Sequence, residues 1–336
     1  MTSISVGDLA TTFQSRQNNS RIKADLQRIA TELATGVKEN LRAATGGDLG
    51  ALAGLEHGLG TLQAYRIAAA ESALSVGSLQ RVLDTVRETS SEAGAALLQA
   101  SSTGQPTLVQ VAASDARTRF SSVVSALNTK VADRALLGGT GTDGAALASA
   151  EDMLANLQAA ISGETTATGV EAAVEAWFDT PGGGFETDGY LASTTDLAPY
   201  RIGPNEEAVM TLRADDQVLR DVLKSYAMAA LVADDALSGD QPERAKLLET
   251  AALKMLTADK PLAELQAGVG TVEAQIDNAT ARNSAETSAL EIARSELIAI
   301  DPYKSATDLA SVQTQLETLY AITARLSRLS LADYLR

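Results

Sequence analysis

Two pairs of adjacent aspartates and one histidine are the residues of this sequence that we first consider for chemistry. Asp215-Asp216 and Asp234-Asp235 could supply an acid and a base, or hold a cation, if folding brought them together. His57 is the only histidine, so the sequence contains neither a convincing Ser–His–Asp triad nor a His-rich metal site. Solvated helix faces and helix caps are the commoner settings for such carboxylates. The sequence therefore predicts that the protein is not an enzyme, and it predicts no catalytic, cofactor-binding or metal-binding residue.

A glycine-rich stretch also invites a chemical interpretation. Gly139, Gly141 and Gly144 match the spacing G-x-G-x-x-G, which binds dinucleotides when it follows a strand and opens a helix. Here the motif follows residues 129–137, which have a helical pattern. We therefore interpret the glycines as a turn.

The composition favours helices and excludes several classes of function. Of the 336 residues, 45% are hydrophobic but only 4% are aromatic, so the apolar content is mostly Ala, Leu, Val and Ile. A net charge of −16 argues against nucleic acid, whose binding depends on cationic contacts to phosphate. The absence of cysteine excludes disulfides and thiolate chemistry. No stretch approaches 18 consecutive apolar residues, and the first residues lack the features of a secretory signal peptide, so neither a membrane span nor a cleaved signal is predicted.

Each end of the chain carries an apolar stripe at helical spacing. Leucine, isoleucine and valine recur every three or four residues, first before Gly36 and again from residue 301 onward. Long helices with such stripes need a partner, which is either the other terminus or another copy of the protein. An ordinary surface helix at each end is the alternative. The stripe residues that we predict to form an assembly interface are Ile22, Leu26, Ile29, Leu33, Leu309, Val312, Leu316, Leu319, Ile322, Leu326, Leu329, Leu331 and Leu335.

The same periodicity continues between the ends. Helices are predicted at residues 49–100, 107–137, 148–161 and 218–231, and a coiled-coil-like helix with heptad spacing at 265–300. Glycines within the first of these predict close approach of a neighbouring helix, with a break near Gly58–Gly60 as the alternative.

Residues 162–206 are the least regular part of the chain. They contain clustered Gly, Thr and Pro, the pair Trp177-Phe178, and a following stretch, 208–213, with the composition of a strand. We therefore expect a small, partly β module between the helices.

Together these patterns predict a mainly α fold. We expect a long antiparallel helical rod, paired terminal coiled-coil helices and a small inserted, partly β module. The predicted divisions are terminal helices at 1–36 and 301–336, a helical rod at 37–161 and 215–300, and the inserted module at 162–214.

Several stretches resemble the flagellin superfamily. Residues 28–36, RIATELATG, resemble its N-terminal signature, and residues 313–317, QTQLE, resemble its C-terminal region. Residues 127–130, LNTK, with 134–140, RALLGGT, are similar to the motif that closes its rod helix, although an aromatic pair is usual where Leu-Leu stands here. Residues 46–49, GGDL, depart from the family's usual Asp-Asp-Pro. The resemblance covers roughly residues 10–140 and 215–336, and the inserted module matches poorly.

This resemblance implies a structural component of the bacterial flagellum. The ending at residues 329–335 looks like that of the hook-associated proteins that join hook to filament, more than that of filament flagellin, which is the alternative. The implied protein is extracellular, exported without a cleaved signal peptide, and needs no cofactor. Its implied partners are copies of itself, hook-associated protein 1, flagellin and an export chaperone, with no nucleic acid and no membrane. The family likeness further implies terminal stripes that are unpaired in the single chain and order into a coiled-coil tube on assembly.

Two other classes remain as alternatives. One is a soluble enzyme with a carboxylate site in residues 162–235, and the other is a cytoplasmic coiled-coil adaptor. The enzyme requires the acidic pairs to converge in space, and the adaptor requires a stable small oligomer with protected termini.

Overall fold

The computed structural model describes residues 6–334, with the side chains of 6–9, 11, 12, 44 and 326–334 outside that description. The chain divides into two compact units, Met1–Leu62 with Ala285–Arg336, and Gln63–Ser284. We call these the terminal unit and the central unit. The chain is mainly helical, as the composition predicted. The three predicted domain divisions stay predictions, because they were drawn from sequence patterns and do not coincide with the terminal and central units.

The terminal unit is built from both ends of the chain. Its helices are α1 (Val6–Thr35), α2 (Leu41–Ala44), the beginning of α3 (Gly50–Thr103), the end of α8 (Gln241–Ile298) and α9 (Pro302–Tyr334). Helix α1 packs along α9 within one chain. The family resemblance implied stripes that are unpaired in the single chain, whereas here the two helices that carry them pack together within one chain.

The ends of these helices form where the sequence supplies capping groups. Gly36 ends α1 with a left-handed φ of 73°, a conformation that favours glycine. Asn40 accepts a hydrogen bond from the Ala43 N–H at 3.1 Å and so caps α2. Asp301 accepts from the Tyr303 and Lys304 N–H groups at 3.0 and 3.1 Å, which fixes the start of α9 beside Pro302.

The central unit is organised around one buried helix. Its further elements are α4 (Pro106–Leu127), α5 (Ala150–Ala160), α6 (Ala167–Asp179), a π-helical turn (Phe185–Gly189) and α7 (Gln217–Ala233). Every side chain of α7 from Val222 to Val232 is buried, and α4, α5 and α6 all pack against this helix. A helix that is apolar on nearly all sides must be surrounded, so α7 forms the centre of the core.

Within residues 6–334, four short strands form two antiparallel hairpins. They are β1 (Lys130–Val131) with β2 (Arg134–Ala135), and β3 (Tyr200–Gly203) with β4 (Glu206–Ala208).

The first hairpin corrects the predicted helix at 107–137. Helix α4 ends at Leu127, and the Asn128 side chain then holds Leu147 by two hydrogen bonds of 3.0 and 2.8 Å. The turn between β1 and β2 is formed by Ala132 and Asp133, with φ of 49° and 62°. Two successive positive φ values are typical of the tight hairpin turn. The helical spacing therefore did not reveal where the helix ends.

The inserted module is partly β, but it also contains a helix that the prediction missed. Thr166 caps helix α6, because its hydroxyl accepts from the Gly169 N–H at 3.0 Å, and the helix buries Val174, Trp177 and Phe178. The strand expected at 208–213 is also wrong in extent, because pairing with β3 ends at Ala208.

The glycines within α3 do not break the helix, which is continuous from Gly50 to Thr103. A Cβ atom at Gly58 would lie 3.0 Å from the Leu290 side chain, and one at Gly94 would lie 3.0 Å from Leu256. These two positions confirm the predicted close approach of α8. Gly54, Gly60 and Gly77 have open space instead.

Candidate assembly surface on the terminal helices

The acidic pair at the start of α7 has structural partners. Asp215 forms an ion pair with Arg213 at 2.9 Å, and Asp216 caps α7 by accepting from the Val218 N–H at 2.9 Å. Arg213 also pairs with Asp196. These carboxylates therefore stabilise the start of α7, which is the commoner of the two roles considered for them.

The second acidic pair and the histidine are placed similarly. Asp234 pairs with Arg117 of α4 at 2.9 Å, and Asp235 has a φ of 65° in the turn after α7. His57 is exposed on α3. Among residues 6–334, no cluster of three or more His, Asp or Glu side chains could hold a metal ion. Within the same range, no helix is long and apolar enough to cross a membrane.

The glycine-rich stretch is a turn, as predicted. The Thr140 N–H donates to the Thr195 carbonyl at 3.0 Å, and the Ser193 N–H donates to the Gly138 carbonyl at 3.2 Å. A Cβ atom at Gly139 would lie 2.3 Å from the Thr195 carbonyl oxygen, so the two loops touch where only glycine allows it. Tyr190 donates its hydroxyl to Ser193 at 2.7 Å, and burial, followed by the charge of Asp215, raises the pKa of Tyr190 to about 12.

The predicted stripe residues lie on the two helices that pack together. Ile29 is buried, and most other described stripe side chains are half-buried. Leu33 and Ile322 remain exposed, at 36% and 53%. The half-buried members are Ile22, Leu26, Leu309, Val312, Leu316 and Leu319. Leu326, Leu329 and Leu331 lie in α9 with side chains outside the description, and Leu335 lies outside the described residues. Their role in an interface between copies stays a prediction.

Three aromatic residues on these helices, among those whose side chains are described, were not among the predicted interface residues. Phe13 is 70% exposed, Tyr303 is 85% exposed and Tyr320 is 48% exposed. The Lys23 ammonium lies 5.9 Å from the centre of the Tyr320 ring, a cation–π contact between α1 and α9. The sequence could have indicated two of these residues, because Phe13 and Tyr320 are large apolar groups on predicted helices.

The turn after α1 is joined to the turn before α9 by backbone hydrogen bonds. The Lys38 N–H donates to the Ile298 carbonyl at 2.9 Å, and the Ile300 N–H donates to the Gly36 carbonyl at 3.1 Å. We call residues 36–40 with 298–301 the elbow. These bonds fix where α9 starts relative to the end of α1.

One carboxylate ties the elbow to α1. The Glu32 side chain accepts from the Glu39 N–H at 3.0 Å and from the Arg28 guanidinium at 3.1 Å. Glu32 is buried although it is charged, and Arg28 also reaches Asp25 at 3.4 Å. Both contacts satisfy the carboxylate oxygens, as buried polar groups require. The Glu32 side chain therefore holds the turn rather than acting as a free acid.

Comparisons with known proteins find one family match and two structures of similar fold. Residues 254–335 match the model of the bacterial flagellin C-terminal helical region. A search against curated protein sequences finds no significant match. The crystal structure of Bacillus cereus FlgL is similar, with a TM-score of 0.51 and 16% sequence identity over 70% of this chain and 96% of that one. A candidate flagellar hook-associated protein from Vibrio parahaemolyticus has a TM-score of 0.47 and 12% identity over 73% of this chain and 95% of that one.

The family match covers α9 and much of α8, whereas the likeness to FlgL spans both units and concerns the fold. The predicted resemblance is thus confirmed for residues 254–335, which match the flagellin C-terminal helical region. For the rest of the chain, the similarity to FlgL is a similarity of fold.

Proposed function

We propose that this protein joins the hook of the bacterial flagellum to the filament, by self-assembly through α1 and α9. The observation that carries the proposal is the apolar surface left exposed on that pair, at Phe13, Tyr303 and Ile322. These side chains are spread along the two helices, where each is available for contact with a neighbouring copy. Burying them between copies would supply the free energy for assembly.

The proposal includes the interface residues, partners and location predicted from the sequence. The two apolar stripes, Ile22 to Leu33 and Leu309 to Leu335, would contact neighbouring copies. Hook-associated protein 1 and flagellin would be the axial neighbours. The protein would be extracellular, exported without a cleaved signal peptide, and would have no enzymatic activity. The likeness of the fold to FlgL supports the junction role.

Filament flagellin is the second candidate, because the matched family model is that of flagellin itself. Negative-stain microscopy of the purified protein after precipitant-induced assembly, with and without hook fragments, separates the two. A junction protein forms short caps on hook ends and does not propagate alone. Long filaments from the protein alone would make it a flagellin.

A matched pair of substitutions on α9 tests the interface itself. Leu316→Asp places a charge on the half-buried stripe, whereas Gln313→Asp places the same charge on an exposed position one turn earlier. We expect the first variant to form no caps and the second to assemble normally, because an unpaired charge is costly only where it becomes buried. Normal caps from Leu316→Asp would refute the proposed interface.

A further inference from the structure

A loop of the central unit is closed where it leaves and rejoins the core. Arg213 forms an ion pair with Asp196, so the two ends of residues 197–212 lie together. We call residues 197–212 the strap. Two backbone hydrogen bonds fix its ends to the glycine-rich turn at 137–140. They run from the Thr140 N–H to the Thr195 carbonyl and from the Ala214 N–H to the Leu137 carbonyl, each at 3.0 Å.

The middle of the strap is the β3–β4 hairpin, which packs on α3 and α8. Its Ile202 and Ala208 side chains are fully buried. They belong to a small buried cluster whose members are distinct from those of the large core around α7. The hairpin thus covers an apolar strip on the two helices. The strip consists of Ala69 and Val76 of α3 with Ile276 and Ala279 of α8.

Side chains of α8 hold the hairpin in place. In the part of the chain that the structure describes, no backbone hydrogen bond joins β3 or β4 to a residue outside the hairpin. The Asn283 amide donates to the Ile202 carbonyl at 2.7 Å, and this bond is buried. Two further contacts are exposed, so solvent weakens them. They join the Gln275 amide to the Glu207 carbonyl at 3.2 Å and Arg282 to Glu206.

The strap is not packed along its whole length. Its residues 209–212, together with α3 and α8, line an open groove of about 400 Å³. Val209 is 45% exposed. Segments held by few buried contacts open at a lower free energy than the core of the same protein. The contacts that keep the strap closed are therefore concentrated at the hairpin.

We propose that the strap opens away from α3 and α8 as one unit, with the Asn283 amide as its latch. The ion pair of Arg213 with Asp196 keeps the ends of the strap together, so the core around α7 stays folded during opening. Opening exposes the apolar strip on α3 and α8, and closing covers it again. The central unit therefore has two states that differ in the apolar surface of these two helices.

Thiol labelling of the full chain measures this opening. The chain has no cysteine, so one introduced thiol reports only on its own position. Ala279→Cys places a thiol beneath the hairpin, and Ala252→Cys places one in the large core, also on α8. We expect Ellman's reagent to label position 279 at least about tenfold faster than position 252, with a weaker dependence on urea, because opening the strap exposes less surface than unfolding the core. Equal rates with equal urea dependence would refute the proposal, as would labelling of position 279 at the rate of the unfolded chain.

A second substitution tests the latch. Asn283→Ala should accelerate labelling at position 279 about threefold to tenfold, the range that one hydrogen bond supports, and leave position 252 unchanged. Asn278→Ala is the matched control, because Asn278 is exposed on the same helix. Ala69→Cys, on the α3 side of the strip, should respond to Asn283→Ala as position 279 does, which excludes a distortion at one site. Equal acceleration at position 252, no acceleration at position 279, or a response on only one side of the strip would overturn the proposal.

Discussion

Replacing Glu32 by alanine tests whether one carboxylate holds the elbow. The change removes the acceptor of the Glu39 N–H at 3.0 Å and of Arg28 at 3.1 Å. A hydrogen bond to a charged acceptor contributes about 1.5–3 kcal/mol. The Arg28 contact contributes less, about 0.2–1 kcal/mol, because the Arg28 side chain is 41% exposed and solvent screens the pair. Alanine returns a few tenths of a kcal/mol through its higher helix propensity.

The net loss is about 2 kcal/mol, which corresponds to roughly a thirtyfold increase in local opening. Hydrogen exchange of the Lys38 and Ile300 amides measures this opening, because both amides donate across the elbow. We expect their exchange to accelerate by that factor, while amides of α7 keep their protection. Glu39→Ala is the matched control, since it retains the backbone N–H and removes only an exposed side chain. Unchanged elbow exchange in Glu32→Ala, or an equal change in Glu39→Ala, would refute the reasoning.

Two further predictions concern the central unit. Phe178→Ala should destabilise it by about 3–5 kcal/mol, because the ring is fully buried and lies 4.8 Å from Trp177 and 5.3 Å from Phe185 between ring centres. Calorimetry should show a clear fall in Tm, whereas Leu191→Ala, at a 59% exposed position, should change stability by less than about 0.5 kcal/mol. Burial alone would raise the pKa of Asp179, but hydrogen bonds from Lys224 and Gln217 outweigh it and lower that pKa. Asp179 therefore stabilises the fold above its unfolded pKa of about 4 and loses that effect as pH falls through its lower folded pKa. The urea midpoint of Asp179→Asn should lie below that of the unchanged protein at neutral pH and converge with it in acid; a constant difference down to pH 2 would contradict this sign.

Helix periodicity predicted most of the long helices because it reflects burial on one face. The spacing around Ile29 and Leu316 placed both terminal helices, and Asp301-Pro302 marked the start of α9. Periodicity failed where the chain leaves a helix without glycine or proline. Ala132 and Asp133 form a tight turn with positive φ although neither is glycine, so nothing in residue type distinguished β1 and β2 from a continuing helix.

Helix α6 was missed for a different reason. Clustered Gly and Thr around it indicated loops, yet Val174, Trp177 and Phe178 form a helical stripe that packs into the core with α7. Tertiary burial overrides weak local propensity in such segments. Asn283 is a polar residue within the heptad-spaced stretch of α8. In the structure its amide donates to the Ile202 carbonyl at 2.7 Å, a partner 81 residues distant in sequence.

The candidate assembly surface could be predicted only in part. Stripes identify which face of α1 and α9 is apolar, but half-burial in the pair depends on how the two helices meet. The elbow bonds join backbone atoms of Gly36, Lys38, Ile298 and Ile300, which every residue type except proline could supply. Such contacts leave no mark in side-chain composition.

The single tryptophan makes the central unit optically distinct from the rest of the chain. Trp177 is only 9% exposed and lies edge-on to Phe178 and Phe185, so unfolding of that unit should change its emission. The described residues of the terminal unit contain tyrosine but no tryptophan. Fluorescence excited near 295 nm, roughly where only indole absorbs, therefore reports on the central unit alone. A variant that loses assembly with unchanged Trp177 emission has kept the fold around Trp177.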